Sequence, residues 1–205
     1  FDQTTSGETL VNMMELDLLV GSGGVLSHAP RREQSAKMLI DSFMPEGITQ
    51  LAVDSIFMMP QLGVLAGVDS EELKEEAREA ALEVFHNDCL IRLGTCINPV
   101  GKSNSGDLVL SAQLHIGNND PMEIELFKDD FIRIEAPYEP IEAVLKPRKN
   151  MNIGAGIGES IKTTIYGGTV GVILDGRERP IHIPKEPSSR LEALQRWSNA
   201  INEYP

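Results

Sequence analysis

The sequence predicts an α/β segment over residues 1–88, followed over residues 89–205 by a mainly β segment that ends in a helix. In the first segment, short apolar runs alternate with stretches of helical periodicity, which is typical of layered α/β structure. After Cys89 apolar residues recur at every second position, as they do in half-buried antiparallel strands. Several short strands at this spacing favour a small β-barrel or sandwich. We therefore expect two structural units, with a boundary near residues 87–94.

The first segment is expected to contain two strands and three helices. Pro60 is compatible with the second helix because it falls in the first turn. The third helix has the clearest signals, since Asp69 and Glu72 resemble a capping pair and its apolar stripe is Leu73, Ala77, Ala80, Ala81 and Val84. The expected elements are strands over residues 16–20 and 48–53 and helices over residues 36–43, 56–66 and 71–85.

The second segment is expected to contain seven strands and a terminal helix. Residues 170–174 are apolar on both faces, which places their strand in the middle of a sheet. Asp175 and Gly176 are typical of a hairpin turn into the last strand. Ser189 and Glu192 resemble a capping box, and the helix is expected to turn three residues inward: Leu191, Leu194 and Ile201. The expected strands are residues 110–116, 122–126, 132–134, 143–145, 161–166, 170–174 and 181–183, and the helix is residues 189–202.

The composition indicates a soluble globular chain with an acidic surface. Of 205 residues, 41% are hydrophobic and 24% charged, and 31 Asp and Glu against 18 Lys and Arg give a formal charge of −13. Such a surface repels nucleic-acid phosphates and anionic membranes, so neither is an expected partner. Cys89 and Cys96 lack the spacing of a zinc site, and two cysteines do not make a disulfide framework, which favours the reducing cytoplasm.

The start of the chain and the length of its apolar runs predict neither a targeting signal nor a membrane span. No basic stretch leads into an apolar run at the start, and no run approaches the ~20 residues that a membrane span needs. We expect a piece of a longer polypeptide that begins at an artificial boundary.

The most informative motif for function is a glycine-rich turn that interrupts the apolar run of residues 18–26. It consists of Gly21, Ser22, Gly23, Gly24 and Val25. Glycines at this point admit positive φ and let a flat ligand lie directly against the main chain. The turn lacks the third glycine of the dinucleotide fingerprint and the Lys-Ser/Thr pair of a P-loop. It is therefore interpreted either as a structural strand-to-helix turn or as a ligand-contacting loop.

Other candidate functional residues are few. A second glycine segment, residues 154–158, leads into a strand rather than a helix, which favours a flexible hairpin over a binding loop. Arg31 and Arg32 follow the first glycine turn and are candidates for a phosphate contact, although arginines at a helix start are usually solvent-exposed. No catalytic or metal-ligating spacing is present, and the four histidines are scattered: His28, His86, His115 and His182.

The order of these features resembles the closing half of the ATPase fold shared by actin, heat-shock chaperones and sugar kinases. The resemblance rests on the strand before Gly21, the amphipathic helix after it, the run Leu51-Ala52-Val53-Asp54, and a helix that carries Gly63. It implies a partial actin-like ATPase lobe in which the glycine turn lies against the adenosine of a nucleotide. It also implies that the helix with Gly63 packs at an interdomain hinge.

A narrower resemblance, over about residues 17–197, is to the carboxyl-terminal portion of the MutL family, the accessory proteins of coenzyme-B12-dependent glutamate mutase. It rests on these motifs: Leu93-Gly94-Thr95, Pro99-Val100-Gly101-Lys102, Asn152-Ile153-Gly154, the run from Tyr166 to Arg177, and Arg179-Pro180. The family implies ATP with Mg²⁺ held between two lobes, and an activator or repair chaperone for a B12-dependent mutase client. Gly21, Ser22, Gly23, Gly24 and Val25 carry over as adenosine-side contacts.

No catalytic residue carries over from the family, because the lobe that supplies the phosphate-contacting groups has no counterpart in this sequence. We therefore expect an ATPase only in a longer protein, and no activity from these 205 residues alone. Two other functions remain open. One is a non-enzymatic partner-binding or assembly module, in which the β region docks a partner and the glycine turn is only structural. The other is a small-molecule kinase of the same superfamily.

Overall fold

Eleven strands and five α-helices are present in the computed structural model, which describes residues 11–68 and 72–204. The strands are β1 (Leu18–Gly21), β2 (Gly47–Asp54), β3 (Leu90–Asn98), β4 (Val100–Gly101), β5 (Leu108–His115), β6 (Met122–Phe127), β7 (Phe131–Ile134), β8 (Pro140–Pro147), β9 (Met151–Asn152), β10 (Ile161–Tyr166) and β11 (Gly171–Asp175). The helices are α1 (Gly24–Ser27), α2 (Arg32–Phe43), α3 (Met59–Ala66), α4 (Lys74–Val84) and α5 (Pro187–Ala200). A 3₁₀ turn over Met13–Glu15 precedes β1, and a π-helical turn over Phe85–Cys89 follows α4.

The strands form a mixed five-stranded sheet, an antiparallel four-stranded sheet and a small two-stranded sheet. The first has the order β1-β2-β3-β11-β7, the second β10-β8-β5-β6, and β4 pairs with β9. No pairing joins β10 to β6 among the described residues, so the four-stranded sheet is open. The barrel alternative is therefore wrong, and the two larger sheets pack face to face as in a sandwich.

Two cores lie on opposite faces of the five-stranded sheet. Along β11, Val172 and Leu174 pack toward the four-stranded sheet, whereas Ile173 packs toward α2 and α5. This alternation follows from the two-residue period of a strand. The helical side includes Leu39 of α2 and Trp197 of α5. The layers are therefore helices, mixed sheet and antiparallel sheet, and the expectation of a buried strand at residues 170–174 is confirmed.

The expected boundary near residue 88 does not interrupt the five-stranded sheet. β2, from the first segment, pairs antiparallel with β3, from the second, over the whole length from Gly47 opposite Asn98 to Asp54 opposite Leu90. The same sheet continues through β11 and β7. This pairing counts against two separately folded units. The division into residues 1–88 and 89–205 stays a prediction that limited proteolysis can test.

Several expected details of the helices differ in the structure. α5 begins earlier than expected, and its N-terminal cap is Glu186 rather than Ser189. The side chain of Glu186 accepts a hydrogen bond from the backbone N–H of Ser189. Leu191 and Leu194 are exposed, and the inward residues are Ala193, Trp197 and Ile201. In α4 only Ala81 of the expected stripe is buried, because the helix packs against α3 alone over most of its length. The expected cap Asp69 lies outside the described residues.

Close backbone packing explains glycines in the motifs that resemble MutL. Gly94 of β3 lies opposite Gly171 of β11, and a Cβ atom on Gly94 would be 1.7 Å from the Gly171 carbonyl oxygen. A Cβ atom on Gly168 would be 2.5 Å from the carbonyl carbon of Leu93. No side chain fits at such distances, so these glycines let β3 and the segment before β11 approach each other.

A buried ionic cluster, formed by Asp41, Asp175, Arg177 and Arg179, occupies the end of β11. Residues 181–183 form no strand, and the expected hairpin turn is wrong because Asp175 binds the two arginines that follow it. Burial alone would raise the pKa of Asp175, but the two guanidinium groups lower it. Arg177 also reaches Asp41 of α2, with 2.9 Å between Nη1 and Oδ1. The cluster therefore joins the mixed sheet to α2.

Aromatic side chains enclose the guanidinium of Arg177. Its central carbon lies 4.2 Å from the ring centre of Phe131 and 5.0 Å from that of Trp197. A desolvated cation over aromatic faces is stabilised by their quadrupoles. Because Trp197 belongs to α5, this contact joins the terminal helix to the same cluster.

Candidate functional site

The glycine turn lies at the edge of the mixed sheet where two parallel strands end side by side. β1 and β2 are parallel, and Gly21 at the end of β1 is opposite Val53, one residue before the end of β2. Open α/β sheets bind ligands in the crevice outside the carboxyl ends of their strands. The sequence-predicted residues Gly21, Ser22, Gly23, Gly24 and Val25 therefore follow directly from such an end.

Gly21 is closely packed against two leucine side chains. The residue is buried, and a Cβ atom on it would lie 2.7 Å from Cδ1 of Leu26 and 2.8 Å from Cδ2 of Leu39. Leu39 belongs to α2, so the absence of a side chain lets this helix pack closely against the end of β1. This packing favours the structural interpretation for the first glycine, and its contact with a ligand stays a prediction.

Gly23 and Gly24 have open space where a side chain would be. No atom lies within 4 Å of a Cβ built on either residue, and Gly23 has a φ of +110°, which L-residues rarely adopt. Val25 is 74% exposed. The backbone N–H groups of Gly23, Gly24 and Val25 have no acceptor within the described part of the chain. Three successive donors are therefore available to a ligand at this edge.

Asp54 is the residue at this site that sequence reasoning did not select. Its buried carboxylate accepts hydrogen bonds from Oγ of Ser22 at 3.2 Å and from the backbone N–H groups of Met58 at 3.2 Å and Met59 at 3.1 Å. Its backbone carbonyl accepts a bond from Oγ of Ser27 at 2.6 Å. Asp54 thus holds the glycine turn and the start of α3 together. A polar residue that closes an apolar strand was the available signal.

Of the two arginines that follow the turn, Arg32 supports its backbone and Arg31 does not contact it. Nη1 of Arg32 donates to the carbonyl oxygen of Ser27 at 3.0 Å, and Nη2 of Arg31 lies 3.5 Å from Oε1 of Glu33. Oγ of Ser35 donates to the carbonyl oxygen of Leu26 at 2.8 Å. Arg32 and Ser35 therefore act on the back of the turn, where they satisfy the carbonyl groups of α1.

The second glycine segment is closed by a side-chain hydrogen-bond pattern. Oδ1 of Asn152 accepts from the backbone N–H groups of Gly154 at 2.9 Å and Gly156 at 3.1 Å. The N–H of Gly158 donates to the carbonyl of Met151 at 2.7 Å. All three glycines have positive φ. This arrangement is a tight turn between β9 and β10 with a single antiparallel bridge between Asn152 and Ile157. β9 pairs with β4 and β10 with β8, so the two strands do not form a hairpin with each other.

Neither a metal centre nor a redox pair is assembled by the described residues. Within residues 11–68 and 72–204, no three His, Cys, Asp or Glu side chains come together as metal ligands would. Cys96 packs in the core against α2 and α5, whereas Cys89 packs in a small cluster with Leu62 and Ala81. Burial raises the pKa of the Cys96 thiol to about 12. The thiol of Cys96 is therefore inert near neutral pH.

Comparison with family models gives a match over residues 3–87 to the family described as MutL protein. Residues 3–87 are therefore similar to the MutL family. This segment contains the glycine turn, the β1-β2 pair and the α3-α4 hairpin, and its first residues lie outside the described part of the chain. The MutL-like motifs after residue 88, including the run from Tyr166 to Arg177, lie beyond the matched segment.

Searches among curated proteins and among solved structures found no significant match. In the described part of the chain, no helix combines the length and the apolar character needed to cross a membrane.

Proposed function

We propose that this chain belongs to a nucleotide-dependent accessory protein, an activator or repair chaperone, for a coenzyme-B12-dependent mutase. The MutL-family segment supports an accessory protein of glutamate mutase at the level of the family. The finer proposal is that Gly23, Gly24 and Val25 bind the adenosine side of ATP. The mutase is the partner, and these three residues form the contact that this chain contributes to the nucleotide.

The observation that carries the nucleotide proposal is the row of unpaired donors at the end of β1. The N–H groups of Gly23, Gly24 and Val25 have no acceptor within the described residues, and the space above both glycines is open. A flat base and ribose can therefore approach the backbone closely, which a side chain at Gly24 would prevent. The hydrogen bonds from Ser22 and Ser27 to the buried Asp54 hold the turn in position in the absence of a ligand.

Beyond these three N–H groups, the charged side chains at the turn are already engaged and add nothing that would hold a Mg²⁺-triphosphate. The Asp54 carboxylate already accepts three hydrogen bonds, and Arg32 is engaged with the Ser27 carbonyl. Triphosphates are held mainly by converging N–H groups, cations and a metal ion. We therefore assign Mg²⁺ and phosphate binding to groups other than these residues.

Amide chemical shifts test the nucleotide contact directly. At millimolar concentration, adenosine and Mg²⁺-ATP should shift the amide signals of Gly23, Gly24 and Val25, and tripolyphosphate should not. The Gly24→Val variant should lose these shifts, because the new side chain occupies the open space without touching the fold. Gly63→Val is the matched control, since Gly63 also has open space and no positive φ. Shifts that persist in Gly24→Val would overturn the contact.

The accessory role needs a separate assay with the client. Glutamate mutase inactivated during turnover is mixed with the accessory protein, coenzyme B12 and ATP, and recovery of mutase activity is followed. The proposal expects recovery that depends on ATP and that Gly24→Val reduces. Equal recovery without ATP would leave a partner-binding module and remove the nucleotide-driven role.

A further inference from the structure

His28 and Phe57 place two exposed rings side by side near the glycine turn. Their ring centres are 6.4 Å apart, and the ring planes are inclined by 37°. His28 follows α1 directly, whereas Phe57 lies in the loop between β2 and α3. Phe57 is 38% exposed and belongs to none of the hydrophobic clusters of the described chain, so no core holds its ring. We refer to these two side chains as the aromatic pair.

Hydrogen bonds tie the aromatic pair to the glycine turn. The backbone N–H of His28 donates to the carbonyl oxygen of Gly24 at 3.0 Å, which places His28 one helical turn after that glycine. Asp54, which ends β2 beside the end of β1, bonds to the chain next to both rings. Its carbonyl accepts from Oγ of Ser27, the residue before His28, at 2.6 Å, and its carboxylate accepts from the N–H of the residue after Phe57 at 3.2 Å. The rings and the turn are therefore held at the same edge of the sheet.

The backbone of Phe57 has an unusual conformation. Its φ is +62°, in the left-handed region that bulky residues rarely adopt. Conformations of this kind cost free energy and cluster at ligand-binding sites, where the surrounding structure holds them. A glycine would adopt this φ without steric cost. The chain therefore carries a phenylalanine here in spite of its backbone, and contact with a ligand would account for the exposed ring.

We propose that the aromatic pair is the surface on which the base of the nucleotide stacks. This inference rests on the proposed adenosine contact, to which it adds the residues that recognise the base. The space above Gly24 is open, so a nucleotide whose base lies on the rings can turn its ribose toward the N–H groups of the turn that lack an acceptor in the described chain. Stacking on aromatic side chains tolerates any base, because every base has a π-face. The aromatic pair therefore recognises the presence of a base rather than its identity.

A titration of the whole chain with adenosine 5′-monophosphate tests the stacking, and the amide shifts of Gly23, Gly24 and Val25 report the affinity. Phe57→Leu keeps an apolar L-residue at the same φ but removes the ring, so the affinity should fall by about fivefold or more. Phe127→Leu is the matched control, because Phe127 is also 38% exposed but lies at the end of β6 in the other sheet. Equal affinities of Phe57→Leu and Phe127→Leu would overturn the proposal.

Two further measurements separate stacking from an indirect effect on the turn. Ribose 5-phosphate has the sugar and the phosphate without the base, so Phe57→Leu should bind it like the unchanged protein. An equal loss of affinity for both ligands would show that the substitution displaces the turn, and it would overturn the stacking. His28→Leu, on the other loop, should also weaken the binding of adenosine monophosphate, and it replaces Phe57→Leu if that variant lacks the native circular dichroism spectrum. Full affinity of His28→Leu would overturn the proposal.

The same titration distinguishes this inference from the proposed function. If adenosine monophosphate shifts none of the three amide signals in the unchanged protein, the adenosine contact fails and the stacking surface fails with it. If these signals shift with the same affinity in Phe57→Leu, only the stacking surface fails.

Discussion

Arg177 and Asp175 form two parallel hydrogen bonds, from Nε to Oδ1 at 2.8 Å and from Nη2 to Oδ2 at 2.9 Å. The arginine is 1% exposed and the aspartate 0%. Because both charges have left water, each depends on the other for its solvation. β11, α2 and α5 meet around the pair.

Replacing Arg177 alone should be strongly destabilising. In Arg177→Met the Asp175 carboxylate stays buried with fewer donors, and we expect the free energy of unfolding to fall by about 3–5 kcal/mol in a urea titration. Lys162→Met is the control, because the pair between Lys162 and Glu142 is 67% and 62% exposed and should be worth less than about 1 kcal/mol. Similar losses in the two variants would contradict this account.

The pKa of Asp175 is lowered in the folded chain, which fixes the sign of a pH effect. A lowered pKa gives stability that is present above the unfolded value, about 3.9, and is lost as the pH falls through the folded value. The difference in unfolding free energy between the unchanged protein and Asp175→Asn should therefore shrink below about pH 4. Urea titrations at several pH values measure it. A difference that stays constant with pH would show that the carboxylate charge has no such role.

Gly94 should tolerate no side chain. Gly94→Ala would place a Cβ atom 1.7 Å from the Gly171 carbonyl oxygen, and Gly94 has a φ of +137°. We expect loss of the native near-ultraviolet circular dichroism spectrum. Gly106→Ala separates strain from collision, because Gly106 has a φ of +80° but open space around its Cβ, and should cost only about 1–2 kcal/mol. A native Gly94→Ala protein would require a different pairing of β3 and β11.

The 205-residue chain should release no phosphate from ATP above the protein-free rate. The donors at Gly23, Gly24 and Val25 can contact adenosine, but the described groups near them do not converge on a triphosphate. Binding through the adenosine alone should be no tighter than millimolar, about −4 kcal/mol. A phosphate-release assay checks this. Turnover that a substitution within the chain abolishes would reveal a complete active site.

Periodicity predicted the elements whose side chains alternate or recur regularly. β2, α2, β5 and β10 were expected from such patterns, and each is present with small shifts of its ends. β3 was missed because its polar residues are buried by partners far away in sequence. Thr95 bonds to Tyr166, and Asn98 donates to the carbonyls of Asp175 and Arg177. No local pattern reports such contacts.

The same distinction applies to the candidate site. The glycine turn was visible because glycines are informative on their own, whereas the different roles of Gly21 and Gly24 depend on whether Leu39 lies nearby. Asp54 bonds to Ser22 from 32 positions away, and the sequence indicated it only as the last residue of an apolar strand and of the run Leu51-Ala52-Val53-Asp54. Asp175 and Gly176 were interpreted as a hairpin turn because an Asp-Gly pair is typical of such turns. No local pattern indicates that Asp175 instead binds a following arginine.

One carboxylate connects the glycine turn to the α3-α4 hairpin. Asp54 holds the hydroxyl of Ser22 on one side and the first backbone N–H groups of α3 on the other. A change that releases Asp54 therefore loosens both elements at once, because the same carboxylate ends both sets of hydrogen bonds.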